Sequence, residues 1–143
     1  MTRIQIDLPT AWLFQLRLTV RVGDINYGGH LGNDRVLGLA HEARVRWLDA
    51  IGLSEQDVGG PGLIMADAGL VFRGEAFLGD VLEISLGATE VRRSGFDLVC
   101  RMVRAGDGRD IALVKTGMVC FDYSLRRPAR LPQTLARILE GQV

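Results

Sequence analysis

Cysteine is scarce in this 143-residue sequence, and the two present stand apart: Cys100 and Cys120 lie in separate strand-like runs without metal-ligand spacing. That argues against zinc, iron–sulfur or haem ligation and reads as reduced core thiols of a cytosolic protein with no cofactor. No apolar run approaches the ~20 residues of a membrane span. The opening MTRIQIDLP alternates and lacks the hydrophobic core of a signal peptide. Charge of one sign is not in excess either. The 17 basic and 17 acidic residues are scattered, which argues against nucleic-acid binding through a general basic field. Two local clusters, Arg92-Arg93 and Arg126-Arg127-Arg130, read either as solvated surface or as a holder for a phosphorylated small molecule. Walker and dinucleotide glycine motifs are missing, as are repeats and low-complexity linkers. One domain over residues 1–143 is expected; at this size ~68–70% of the unfolded surface is buried, enough for a core without staples.

What is present is concentrated between Gly23 and Leu53. The stretch opens as GDINYGGHLGND, a glycine-rich loop crowded with hydrogen-bonding side chains, and runs on into the longest helical pattern of the chain. Both histidines, His30 and His41, fall inside it. Glycines at 23, 28, 29 and 32 let the backbone turn sharply and bring N–H groups close to a bound molecule. A loop that only stabilised the fold could do with far fewer polar groups, so this segment is read as the active site.

Along the chain, Arg3 to Asp7 alternates as a short strand, ended by Pro9. Phe14, Leu16, Leu18, Val20 and Val22 make one face of a half-buried strand. A helix is expected to start near Asn33 or Asp34, either of which can cap it. Val36, Leu39, Ala40, Ala43, Trp47 and Ile51 form its apolar stripe, widened by Leu37, Val45 and Leu48, with Arg35, Glu42, Arg46 and Asp49 on the polar face. So broad a stripe suggests a helix partly wrapped by a sheet. Gly52 ends it. Strand patterns follow: Ile64, Ala66, Ala68, Leu70 and Phe72; Leu82, Ile84, Leu86 and Ala88; Phe96, Leu98, Cys100 and Met102; then Ile111 to Phe121, joined by turn signals. Pro132 suits the first position of a closing helix that buries Leu135, Ile138 and Leu139. One buried helix with a run of antiparallel strands is an α+β layer architecture.

In this order the chain resembles the hotdog-fold thioesterases, in the branch of the 4-hydroxybenzoyl-CoA thioesterase and the small bacterial acyl-CoA thioesterases. That branch carries D-x-D-x-x-G-H-V-x-N before its helix, and Asp24-Ile25-Asn26-Tyr27-Gly28-Gly29-His30-Leu31-Gly32-Asn33 is similar to it. Glu42-Ala43-Arg44 with Trp47-Leu48, the strand entry Phe77-Leu78-Gly79-Asp80-Val81-Leu82-Glu83-Ile84, and Leu131-Pro132 also match. The resemblance implies an antiparallel sheet wrapped around one long central helix with a short C-terminal helix. It implies hydrolysis of a coenzyme A or carrier-protein thioester, coenzyme A entering only as part of the substrate, in a homodimer or a tetramer of dimers with sites between subunits. One position departs from the family: its usual catalytic carboxylate falls on Asn26, and an amide cannot take a proton from water.

The candidates follow from that alignment. Asn26 orients water or donates to the thioester carbonyl, or is a turn residue. His30 is the loop's titratable base, or caps loop carbonyls. The Asn33 backbone N–H, with the helix dipole behind it, is the donor to the thioester oxygen. Glu42 is a carboxylate supplied by the helix, or an i,i+4 partner of Arg46. Asp24 ties the loop or meets substrate. Tyr27 lines an acyl pocket or stacks in the loop, and Gly29, Arg92 and Arg93 complete the substrate contacts. His41 is read as a packing histidine. Gly38, mid-helix, implies close approach of another backbone. Two further functions stay open: a hotdog enoyl-CoA hydratase using Asp24 and His30, and a non-catalytic acyl-thioester binder.

Overall fold

Six strands and two α-helices carry the chain in the computed structural model, which describes residues 2–141. In order they are β1 (Phe14–Thr19), α1 (Asn33–Ala50), β2 (Gly62–Phe72), β3 (Val81–Thr89), β4 (Gly95–Arg104), β5 (Asp110–Asp122), β6 (Arg127–Pro128) and α2 (Gln133–Leu139). The strands form one antiparallel sheet in the order β1-β3-β4-β5-β2, with β6 on the end of β5. Hairpins join β3 to β4 and β4 to β5; β2 reaches the far edge because α1 intervenes before it.

The alternation that predicts the strands also predicts what the sheet buries. Leu82, Ile84 and Leu86 of β3 and Phe96, Leu98, Cys100 and Met102 of β4 form its inner face with Ala112, Val114, Met118 and Cys120 of β5. Onto them α1 lays Val36, Leu39, Ala40, Ala43, Trp47 and Leu48. Trp47 meets Phe96 edge to face, ring centroids 6.5 Å apart, an aromatic pair worth ~0.5–1.5 kcal/mol beyond its buried area. Gly52, at φ +78°, ends the helix in the left-handed region expected there.

Several sequence expectations are corrected. Residues 3–7 form no strand. That segment instead passes over the outer face of the sheet, where Ile4 approaches Gly69 and Pro9 occupies the space a side chain at Gly87 would need. Val22 leaves the β1 face because a single 3-10 turn over Val22–Asp24 rotates the chain, and it is left exposed. Neither Asn33 nor Asp34 caps α1. The cap is Gly32, where a Cβ would sit 2.6 Å from Asp34 Oδ1, so that the exposed Asp34 carboxylate would have to turn aside for any side chain. Pro132 likewise precedes α2 as its cap rather than starting it. In β2 the pairing with β5 slips between Met65 and Asp67, a β-bulge. Ahead of it Leu63 and Met65 share a face with the buried Cys120 and Met118; beyond it Ala68, Leu70 and Phe72 take over that face. Ile64 therefore does not continue their stripe.

Candidate active site

The loop before α1 is tied at both ends. Asp24 is buried; its Oδ2 accepts from the Arg21 N–H at 2.8 Å, and its carbonyl accepts from the Gly32 N–H at 2.9 Å. Between them the chain reverses through Asn26–Gly29. Gly29 donates its N–H to the Asn26 carbonyl at 3.0 Å with φ +85°, a conformation that costs other residues dear. Asn26 and His30 then exchange main-chain and side-chain bonds: the Asn26 N–H donates to the His30 carbonyl at 2.8 Å, and Asn26 Oδ1 accepts from the His30 N–H at 3.2 Å. Leu31 fastens the return limb to the neighbouring segment by donating to the Ala76 carbonyl at 2.7 Å.

This binds Asn26 to His30 in the loop that leads to Asn33 at the head of α1. Asn33 opens α1, and the first N–H groups of a helix have no partner inside it. Among the described residues no acceptor engages the Asn33 N–H. It borders a depression of about 590 Å³ whose floor and rim come from Phe72, Glu75, Phe77, Arg73, Arg104 and Arg109. The His30 ring lies against Phe77 with centroids 5.2 Å apart, and its Nδ1 is 3.2 Å from Glu75 Oε2. Arg104 is held by both oxygens of Asp107, whose carboxyl that guanidinium pulls down to about 2. Arg109 has no carboxylate within ion-pair distance among the described residues. The depression thus pairs apolar walls with cations and a helix N-terminus, a setting for an apolar group joined to an anionic or polarised one.

The other predicted site residues are placed elsewhere or otherwise engaged. Asp24 and Gly29 spend their polar groups inside the loop, as above. Tyr27 is fully exposed, and its ring stacks on no other aromatic among the described residues. Glu42 lies on the flank of α1 facing β1, its carboxylate 2.7 Å from Arg46, beside Leu18, Thr19 and Arg21. The ordinary i,i+4 pair is what forms. Arg92 and Arg93 sit at the opposite end of the sheet, by Arg130 and Leu131 in a groove of about 880 Å³. There Arg92 is bonded to Asp97 and to the Glu90 carbonyl. His41, expected to pack, is exposed instead and lies 2.8 Å from Glu55. Sequence reasoning missed Arg73, Glu75, Arg104 and Arg109 as wall residues. Arg73-Gly74-Glu75 carried only a turn signal, and Arg104 and Arg109 flank a hairpin whose destination no local pattern reveals.

Fold and site together define a thioester hydrolase of the hotdog type. A family model described as the thioesterase-like superfamily matches residues 20–139, most of the chain, and the protein belongs to that superfamily. Among similar proteins, a 1,4-dihydroxy-2-naphthoyl-CoA hydrolase of Synechococcus elongatus is 26% identical over 126 residues, 85% of this chain and 91% of its own. The crystal structure of a 1,4-dihydroxy-2-naphthoyl-CoA thioesterase from Synechocystis superposes with a TM-score of 0.80 at 27% identity, covering 88% of this chain and 94% of that one. A Staphylococcus aureus protein solved in complex with CoA shares the fold, with a TM-score of 0.81 at 17% identity over 97% of this chain and 90% of its own.

Proposed function

We propose that this chain hydrolyses an acyl-CoA thioester, with the Asn33 backbone N–H polarising the carbonyl and Asn26 positioning the attacking water or the carbonyl itself. The observation that carries this reading is the unpartnered Asn33 N–H at the head of α1, set beside a depression with phenylalanine walls and arginine rim. Water adds its oxygen to the carbonyl carbon and gives up a proton to a base. The oxyanion draws on the Asn33 N–H and the helix dipole; the C–S bond then breaks, and the thiolate takes the proton back. Asn26 Oδ1 is occupied by the His30 N–H, which leaves its Nδ2 as the group free to donate. The same aligned dihydroxynaphthoyl-CoA enzymes favour an aromatic acyl group, for which Phe72 and Phe77, both about half exposed, offer stacking surface.

Glu42 is not supported as the base, since Arg46 holds it on the far flank of α1. That leaves the proton to an imidazole. A hydratase would need Asp24 as a working acid, and its carboxylate is buried against Arg21.

The active form we propose is a dimer made through β2. Among the described residues its outer edge has no strand partner, and from Ile64 to Leu70 it carries one charge, Asp67, already bonded to Lys115 at 2.9 Å. Edges that stay single are usually guarded by charge or proline, and this one is not. Two-fold pairing of β2 runs the two copies antiparallel. It would bring the Arg92-Arg93 end of one copy toward the Asn33 end of the other, where those arginines could meet the phosphates of coenzyme A.

A panel of aromatic and aliphatic acyl-CoA esters with a free-thiol readout tests the reading. Thiol release is expected on at least one aromatic ester. Change of enoyl absorbance without thiol, or binding with neither, would overturn it.

A further inference from the structure

Outside the loop, one cluster of titratable side chains is built like a base with its orienting group. His41 Nε2 lies 2.8 Å from Glu55 Oε1, while Glu55 Oε2 accepts from Arg44 Nε, also at 2.8 Å. Arg44 is 6% exposed, so the carboxylate is anchored from beneath by a buried guanidinium, and the imidazole stands above it in the open. Burial pushes the Glu55 carboxyl up, but the bonds from His41 and Arg44 outweigh that and leave it below the usual glutamate value. An ionised Glu55 takes the Nε2 proton of His41 as its hydrogen-bond donor. Nδ1 is then the free lone pair, as in a base–orienter couple.

The surroundings say where that lone pair works. His41 opens into a groove of about 280 Å³ between α1 and β2, walled by Leu37, Gly38 and Met65, with Asp34 at the end nearer the loop. Asp34, Glu55 and Arg44 are the charged groups that line it or bond to His41. A Cβ on Gly38 would meet nothing within 4 Å, so this chain's own packing does not require glycine there, although glycine costs a helix ~1 kcal/mol against alanine.

Within one chain the two halves are too far apart. Eight residues of α1 separate His41 from Asn33, about 12 Å along the axis. An antiparallel copy crossing at Gly38 closes that gap. Asn33 lies about 7.5 Å to one side of the crossing and His41 about 4.5 Å to the other, so they come level to within ~3 Å across the two-fold.

We propose that His41, held in its tautomer by Glu55 and Arg44, is the general base for the thioester bound at the Asn26–Asn33 loop of the neighbouring subunit. This rests on the hydrolase reading above. Nδ1 takes a proton from water as the water oxygen bonds to the carbonyl carbon. The imidazolium returns that proton to the departing thiolate when the C–S bond breaks.

The test is a mixed dimer. Chains carrying Asn33→Pro and chains carrying His41→Ala, each with its own affinity tag, are co-expressed and the heterodimer is isolated by tandem purification. Each variant homodimer has two damaged sites; for His41→Ala the expected loss is about 10²-fold or more in kcat with KM little changed. In the mixed dimer one site collects both lesions and the other none, so half the wild-type kcat returns. Asn26→Ala serves as a second loop lesion. If the mixed dimer stays at the homodimer level, or if His41→Ala keeps wild-type kcat while His30→Ala loses it, the proposal falls. Glu55→Gln, a positioning change, is expected to lower kcat with KM little changed, and Glu55→Asp to restore part of the loss. An unchanged kcat in a folded Glu55→Gln protein overturns the part given to Glu55. A wild-type protein that releases no thiol from any ester overturns the hydrolase reading itself, before any mixed dimer is made.

Discussion

Replacing Asn33 with proline isolates the electrophilic half of the site. Asn33 is the first helical residue of α1, a position where proline is favoured because its missing N–H had no helical partner and its ring holds φ near −65°. The residue before a proline must be extended, and Gly32 already is, at φ −67° and ψ 138°. The substitution therefore deletes one N–H while leaving the helix start intact. If that N–H is the oxyanion donor, kcat should fall by about 10²–10³-fold, which is ~2.7–4 kcal/mol of transition-state stabilisation. KM should change little, because a ground-state carbonyl asks less of the donor than the tetrahedral oxyanion does. Asn33→Ala is the companion: it removes the side chain, keeps the N–H, and is expected to retain kcat. The assay is thiol release on the best ester of the panel, with thermal unfolding run on both variants. A folded Asn33→Pro protein with kcat within about threefold of wild type would refute the assignment, since the oxyanion is given to that N–H.

Glu42→Gln should leave kcat unchanged and cost only a few tenths of a kcal/mol, the usual worth of an i,i+4 pair; loss of activity in a folded variant would return the base to the helix flank. Cys100 and Cys120, pushed up by burial to about 12 and about 11, should both be silent to a disulfide reagent in the native protein and react only after unfolding. Thiol titration with and without denaturant checks this, and silent protein thiols also keep the release assay clean. Because Glu55 is held below its ordinary value of 4.5, its contribution to stability is present above pH 4.5 and lost as pH falls through the lower folded value. Urea midpoints measured from pH 7 down to pH 3 should fall less steeply in Glu55→Gln than in wild type.

Much of the fold was legible because burial and period coincide. Leu82, Ile84 and Leu86 alternate without interruption, and every one of them is buried. The stripe from Val36 to Trp47 keeps helical spacing over three turns, and Val36, Leu39, Ala40, Ala43 and Trp47 are buried as the wheel puts them, while Val45 at its margin is exposed. What stayed hidden depends on contacts distant in sequence. The slip at Met65/Asp67 leaves the composition of β2 unchanged, so an alternation drawn through Ile64 and Ala66 looks sound while the true stripe shifts by one. His41 falls at the margin of the helix wheel, where a packing and an exposed role have the same spacing. What decides between them is Glu55, which lies beyond the end of α1 in a segment with no periodicity. Arg44 is buried for the same reason, as the anchor of that carboxylate. In the loop the bonds could not be read from the residue types. Asn26 and Gly29 turn out to hold the turn, and the arginines that rim the depression come from strand ends far along the chain.

The amide at position 26 changes the chemistry of the loop far more than its geometry. Asn26 accepts the His30 N–H through Oδ1, a bond that a carboxylate oxygen would accept as well, so the turn does not register the difference. The neighbourhood of Asn33 does. If position 26 faces the head of α1, as the proposed site requires, a carboxylate there would be drawn to the positive end of the helix and would set a negative charge next to the oxygen on which charge must develop. On the reading proposed above, an amide there leaves the donor and the dipole to the substrate, so the loss of a base and the gain of an uncompensated electrophile are one substitution. It favours enzymes in which the proton acceptor stands on a different rigid element, at a distance fixed by a helix, and the pair of His41 and Glu55 on α1 and the segment after it meets that requirement.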